Sequence, residues 1–184
     1  EKKLIMDSGE NFIGFNGPRT LFRLPKNSGT PFWGFGEKTD GLNKSGTAMK
    51  MWNVDVFFDL RHNYKRKDYD PCYVSIPFFI TKLGNTYFGF YLDNPCQTFF
   101  NCGVEEKDSF NFGSYSGESS LYIIYGPSCR DVVQKFAEMT GKPEMPPLWA
   151  IGHHQCRWSY FSEKEVMDVV KNYERNNLPL SAVW

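Results

Sequence analysis

The hydrophobic period of this chain changes at Gly126-Pro127, and that change limits the folds open to it. Before it, short runs of aromatic and β-branched residues are punctuated by Gly, Asn and Asp, the pattern of an antiparallel β-sandwich. The clearest runs span residues 20–24, 72–80, 87–92 and 121–125. Leu83-Gly84-Asn85-Thr86 lies between two of them and predicts a tight hairpin, because Gly and Asn tolerate positive φ. That hairpin would pair residues 76–80 with 87–90. Residues 57–70 carry Arg61, Lys65, Arg66 and Lys67 among Asp59, Asp68 and Asp70, and read as an exposed loop.

After Gly126-Pro127 the period becomes helical. Ser128 can cap a helix in which Val132, Val133, Phe136 and Ala137 share one face, and Gly141 and Pro143 mark its end. The segment from Pro146 to Tyr160 then reads as a buried strand that ends in a polar and aromatic cluster and feeds a second helix. An α/β enzyme keeps its substrate contacts at such a place. Ser162-Glu163-Lys164-Glu165 is a capping box, and Val166, Val169, Val170 and Tyr173 recur at helical spacing. Asn176-Asn177-Leu178-Pro179 stops that helix before a second apolar strand, Leu180-Ser181-Ala182-Val183-Trp184. Strand, helix and strand make a βαβ unit. A lone unit of that kind leaves sheet edges and helix-packing surface uncovered, so a barrel is expected to begin here and to need more chain to finish.

Composition narrows the function. With 41% hydrophobic, 17% aromatic and 23% charged residues, the 184-residue chain can bury a sizeable core. Its 21 basic and 21 acidic residues cancel, leaving no long-range field to recruit nucleic acid or an anionic membrane surface, so a neutral partner is expected. No apolar run approaches a membrane span, and residues 1–7 lack the apolar core of a signal peptide. The five cysteines, Cys72, Cys96, Cys102, Cys129 and Cys156, are odd in number and form no C-x-x-C pair. That argues against a disulfide framework and a zinc site, and for a reducing cytoplasm.

Pro147-Leu148-Trp149-Ala150 with His154-Gln155-Cys156-Arg157-Trp158-Ser159-Tyr160 closely resembles the first barrel strand of glycoside hydrolase family 31, the α-glucosidase family. Gly34-Phe35-Gly36-Glu37 with Gly41-Leu42-Asn43 resembles that family's G-x-G-E stretch, and Trp52-Asn53-Val54-Asp55 its W-N-x-D loop. Asp70-Pro71, Ser75-Ile76-Pro77-Phe78-Phe79, Phe90-Tyr91-Leu92-Asp93-Asn94 and Gly126-Pro127 follow in the same order. The resemblance implies a mainly β chain with an α/β tail. A galactose-mutarotase-like antiparallel β-sandwich would occupy residues 1–126, a linking helix and linker 127–146, and the first βαβ of an incomplete (β/α)8 TIM barrel 147–184.

The resemblance also implies a retaining α-glucosidase that removes terminal glucose from neutral α-glucoside oligosaccharides without a cofactor or metal. Retention needs a carboxylate nucleophile and a carboxylic acid about 5 Å apart. In the family both lie on later barrel strands, so no catalytic residue is expected within the 184 residues, and a full barrel takes roughly 250. Two residues carry over as sugar contacts. Asp55 would accept hydrogen bonds from substrate hydroxyls at the barrel mouth, and Trp158 would lay its indole against the apolar face of a glucose ring. The plainer readings are a solvated loop carboxylate and a core indole.

Other candidates default to structure. His153 and His154 on a strand point to opposite faces and cannot share a metal, so core and barrel-wall packing is their expected role. Glu37 and Asp40 flank a Gly turn, Cys156 has no base that sequence can place beside it, and Arg157 is expected in a structural ion pair. Asn43-Lys44-Ser45 matches a glycosylation sequon, which matters only in a secreted protein. Family members also include α-xylosidases, lyases and transglycosylases. The competing reading of another class is a noncatalytic carbohydrate-binding or scaffold module. Homo-oligomerisation through a longer parent is a further expectation.

Overall fold

The computed structural model describes residues 4, 6–39, 41–54, 70 and 73–184. Contacts divide the chain into two compact units, Glu1–Thr140 and Gly141–Trp184.

The first unit is a sandwich of two antiparallel sheets. In chain order its strands are β1 (Ile13–Asn16), β2 (Arg19–Pro25), β3 (Phe32–Gly36), β4 (Ala48–Met51), β5 (Ser75–Leu83), β6 (Thr86–Asp93), β7 (Thr98–Asn101), β8 (Ser109–Ser114) and β9 (Ser120–Gly126). One sheet runs β1-β2-β8-β7-β4 and the other β3-β5-β6-β9. Alternation aims Phe22 and Leu24 of β2 and Phe110 and Phe112 of β8 inward from the first sheet. Phe79, Phe88, Phe90 and Leu92 meet them from the second. Phe79 lies at the centre of this cluster, stacked on Phe35 and Phe90 and edge-on to Phe100, Phe110 and Phe112, with centroids 5.1 to 6.0 Å away. Offset and edge-to-face rings fill a sandwich core well because each presents its positive edge to a neighbour's negative face.

The expected hairpin is present. Leu83 pairs with Thr86 and Phe79 with Phe90, across a turn in which Gly84 takes φ 61°. Strand β5 begins at Ser75, and Cys72, where the sequence pattern starts the run, lies outside the described residues. So does the expected loop at 57–70, apart from Asp70.

The G-x-G-E stretch is sandwich structure. The β3–β5 register shifts between Gly34 and Gly36, whose φ angles are 115° and 76°. A Cβ on Gly36 would stand 2.6 Å from the Val74 carbonyl oxygen, so glycine is required there to let the two backbones close. The bulge turns Phe35 into the core and leaves Glu37 exposed, its amide donating to Val74 O at 2.8 Å.

The outer face of the four-stranded sheet is covered by α1 (Cys129–Thr140). Ser128 Oγ accepts from the Asp131 amide at 3.2 Å while Asp131 Oδ2 accepts from the Ser128 amide at 3.1 Å, a reciprocal cap that satisfies two backbone donors. Val132 is fully buried against Phe78, Ile80 and Ile124, and Phe136 stacks on Phe78 with centroids 3.8 Å apart. Val133, expected on the same face, is instead 49% exposed. A helix advances 100° per residue, so Val132 and Val133 cannot both centre on one narrow contact, and Phe136 at i+4 follows Val132.

The second unit contains a 3-10 turn (Leu148–Ile151), the short strand β10 (His154–Gln155), helix α2 (Glu163–Arg175) and the short strand β11 (Ala182–Val183). Strands β10 and β11 pair in parallel with α2 between them, which is the expected βαβ unit. Ladder bonds extend the pairing: Ser181 N donates to His153 O at 2.8 Å and Trp184 N to Gln155 O at 3.0 Å. The expected buried strand from Pro146 is corrected. Ala150 N bonds to Pro147 O and Gly152 N to Trp149 O, the i→i+3 pattern of a 3-10 turn, and Leu148, Trp149 and Ile151 are exposed. Among the described residues no strand bonds to 148–151, and their amides close locally. Helix α2 carries the predicted cap: Ser162 Oγ accepts from Glu165 N at 3.2 Å, while the Glu165 carboxylate reaches the Phe161 amide at 2.8 Å. No helix among the described residues is long and apolar enough to cross a membrane.

Candidate functional site

The residues expected from the sequence as sugar contacts fall on two stretches, one in each unit. In the sandwich, the W-N-x-D stretch leaves β4 at Trp52 and Asn53. Asn53 Oδ1 accepts from the Ser75 amide at 2.8 Å, which joins the exit of β4 to the entry of β5. A second tie lies beside it: Asp70 pairs with Lys38 and accepts from the Lys50 amide, and Lys38 Nζ donates to Lys50 O at 2.6 Å. The Lys38 side chain is only 3% exposed and Asp70 15%, so this is a largely buried, hydrogen-bonded ion pair. A cavity of about 420 Å³ opens here, lined by Met51, Trp52, Asn53, Ser75 and Cys96 among others. Asp55 itself lies outside the described residues.

In the second unit Trp158 stands just beyond the carboxyl end of β10, on the segment that leads to α2. It is 86% exposed, not a core indole. The Trp158–Ser159 peptide is cis. On one side of this segment, Tyr173 Oη from α2 donates to Gln155 Oε1 at 2.8 Å and lies 3.0 Å from His153 Nε2. Since the phenol's one proton goes to Gln155, His153 Nε2 is the donor in the second bond. Gln155 Nε2 reaches Tyr160 Oη at 3.3 Å and Cys156 O at 3.4 Å. The guanidinium of Arg157 lies over the Tyr160 ring, 5.4 Å from its centroid. That contact replaces the expected ion pair, because among the described residues no carboxylate lies within reach of Arg157.

The two histidines do point apart, but neither is packed into a core. His154 Nδ1 accepts from the Trp184 indole N–H at 3.1 Å and its Nε2 meets Trp149 O at 3.0 Å. A ring that accepts at Nδ1 donates from Nε2, so His154 carries the Nε2–H tautomer and ties the 3-10 turn to the residue after β11. Among the described residues no group of three His, Cys, Asp or Glu side chains could hold a metal.

The remaining candidates are structural. Asn43 Oδ1 accepts from the amides of Phe32 at 3.0 Å and Ser45 at 3.1 Å, so the sequon's asparagine is a turn anchor. Lys44 is buried, with Nζ donating to the Lys38 and Thr39 carbonyls, a role the sequence did not signal. Cys96, Cys102, Cys129 and Cys156 are free thiols. Burial pushes Cys102 up to about 12, with Lys26 pulling it slightly the other way. The Tyr173–Gln155–Tyr160 connection was also missed: Tyr173 reads as one more apolar position on α2, and only its phenol oxygen hints at a polar partner.

Comparison with known proteins follows the same division. Residues 13–101 match the Glycosyl hydrolase 31 N-terminal galactose mutarotase-like domain, and residues 143–184 the Glycosyl hydrolases family 31 TIM-barrel domain. Alpha-glucosidase 2 of Bacillus thermoamyloliquefaciens is 36% identical over 184 residues, covering 99% of this chain and 22% of that protein. The alpha-glucosidase of Saccharolobus solfataricus is 32% identical over 151 residues, covering 82% of this chain and 21% of that protein. The GH31 dextranase of Flavobacterium johnsoniae, solved with isomaltotriose, superposes with a TM-score of 0.84 at 30% identity, over 96% of this chain and 21% of its own. The chain thus spans about a fifth of the length of these relatives. A galactose-mutarotase-like sandwich, a parallel βαβ opening a TIM barrel and two domain matches in the same order place this chain in glycoside hydrolase family 31.

Proposed function

We propose that this chain is the amino-terminal part of a retaining α-glucosidase that releases terminal glucose from neutral α-glucoside oligosaccharides. The observation that carries the reading is Trp158, a highly exposed indole just past the carboxyl end of a parallel strand, where barrel enzymes gather their substrate contacts. An indole face suits the C–H face of a glucose ring, and a neutral sugar matches a chain with no net charge. Asp55 would take the complementary task, accepting hydrogen bonds from sugar hydroxyls. The nucleophile and the acid are assigned to chain beyond residue 184, on later barrel strands, and no cofactor is required. The α-glucosidase names of the two curated relatives support the substrate class. A reducing cytoplasmic home is part of the same proposal.

The test is release of p-nitrophenol from its α-glucoside by the 184-residue protein beside a version extended through the rest of its reading frame. Activity only in the extended protein is expected. Activity in the short form would overturn the placement of the catalytic carboxylates, and inactivity of the extended form on α-glucosides would favour a noncatalytic carbohydrate-binding module, or a different glycoside such as an α-xyloside. Within the active protein, Asp55→Ala and Trp158→Ala should each lower kcat/KM by about tenfold to a hundredfold, the size expected for one lost substrate contact.

A further inference from the structure

We infer that Gln155 and Tyr173 are positioning residues that hold the 156–160 segment so that Trp158 is presented to the sugar. The inference rests on the α-glucoside reading above and names what fixes the geometry of its sugar contact. Trp158 is highly exposed, so burial does not define its place. The segment that carries it is anchored at both ends. At the near end Gln155, in the parallel ladder, holds Cys156 O through its amide nitrogen at 3.4 Å. At the far end the same nitrogen reaches Tyr160 Oη at 3.3 Å, and Arg157 lies over the Tyr160 ring. One side chain therefore spans the base of the segment like a rung.

Gln155 is itself held. Its oxygen accepts from Tyr173 Oη at 2.8 Å, the shortest bond of the group, and Tyr173 is fixed in turn by His153 Nε2 at 3.0 Å and by the helix that carries it. An unanchored glutamine amide has three torsions to order, whereas one whose oxygen is occupied has its nitrogen aimed. The helix thus transmits its position to Trp158 through a phenol, a carboxamide and a second phenol. Neither Gln155 nor Tyr173 needs to touch the sugar. Displacement of a substrate contact by about 1 Å can cost as much as a hundredfold in rate, which is why the rung matters.

Two measurements test this. First, the 184-residue protein labelled with 5-fluorotryptophan should give five resonances, that of Trp158 assigned by its loss in Trp158→Phe. Gln155→Leu and Tyr173→Phe should each shift or broaden the Trp158 resonance while that of Trp33 in the sandwich stays in place. An unmoved Trp158 resonance in Gln155→Leu overturns the proposal whatever the substrate proves to be. Second, in the extended enzyme Gln155→Leu should lower kcat/KM on an α-glucoside about tenfold, through KM more than kcat. The double variant Gln155→Leu/Trp158→Ala should be no worse than Trp158→Ala alone, since a residue acting through Trp158 has nothing left to position. Additive losses would mean that Gln155 acts by another route and overturn the proposal. If Trp158→Ala leaves kcat/KM unchanged while the fluorine resonances move as expected, it is the sugar role of Trp158 that fails, and with it the presentation to the sugar.

Discussion

The two units hold their shape by different physics. In Glu1–Thr140, two sheets close over a cluster of phenylalanines whose rings are almost wholly removed from water, and α1 seals the outer face of one sheet with Val132 and Phe136. In Gly141–Trp184 no residue is buried, and the elements are tied by hydrogen bonds: the parallel ladder, the Ser162 cap, and the rings of His153, His154 and Tyr173. Apolar burial is worth roughly 25 cal/mol per Å², whereas a typical hydrogen bond nets only about 1 kcal/mol. The described ties of the sandwich are thus mainly apolar and those of the βαβ mainly polar. The difference teaches that specific geometry can be written by polar contacts as well as by an apolar core.

The largest effect that should bear on this contrast is in the sandwich core. Phe79→Ala removes the ring on which six others pack and should cost about 3–5 kcal/mol in urea unfolding. A loss below about 1 kcal/mol would show that the phenylalanine cluster is not the sandwich's main support. Smaller and local is the effect of Ser162→Ala, which deletes the cap of α2 and should cost about 1 kcal/mol. Faster amide exchange confined to the first turns of α2 would sharpen the contrast, and unchanged protection there would break it.

The smallest effect is electrostatic. Glu106 accepts hydrogen bonds from Ser109 Oγ and from Arg23, which hold its carboxyl below the ordinary value of 4.5. A carboxyl lowered by folding stabilises the native state above its unfolded pKa and loses that contribution as pH falls through the folded one. The difference in stability between the wild-type protein and Ser109→Ala should therefore be present at neutral pH and narrow below about pH 4.5. A difference that stays constant into acid would assign the effect of Ser109 to packing. Because Glu106 is solvent-exposed, the contribution should also fall as salt is raised.

The sandwich was readable because its signals are local and redundant. Alternation along residues 19–25 aims Phe22 and Leu24 inward without reference to any partner, and Gly84-Asn85 sets the hairpin between β5 and β6 by backbone preference alone. The α2 cap was equally plain, since Ser162 and Glu165 act within one turn. The segment from Pro146 misled because an apolar run does not say whether its amides will find a neighbouring strand, and among the described residues Leu148–Ile151 finds none. Val133 misled for a related reason, since a helix face predicted from spacing is wider than the contact that Phe78 and Ile124 offer. At the candidate site, the W-N-x-D and first-strand motifs drew attention to Asp55 and Trp158. The rung beneath Trp158 was not legible because it joins positions 18 residues apart through side-chain oxygens and nitrogens that no periodicity records.

The paired ties at the root of the W-N-x-D loop carry one more consequence. Asn53 clasps Ser75, and Asp70 binds both Lys38 and the backbone of β4, so the described residues on either side of 55–69 are pinned to the sandwich. Once the ends are fixed, lengthening a loop adds only about 0.6 kcal/mol per doubling. The sandwich therefore works as a mount with a standard fitting. Changes in the length of that segment should leave the strands of the mount in place.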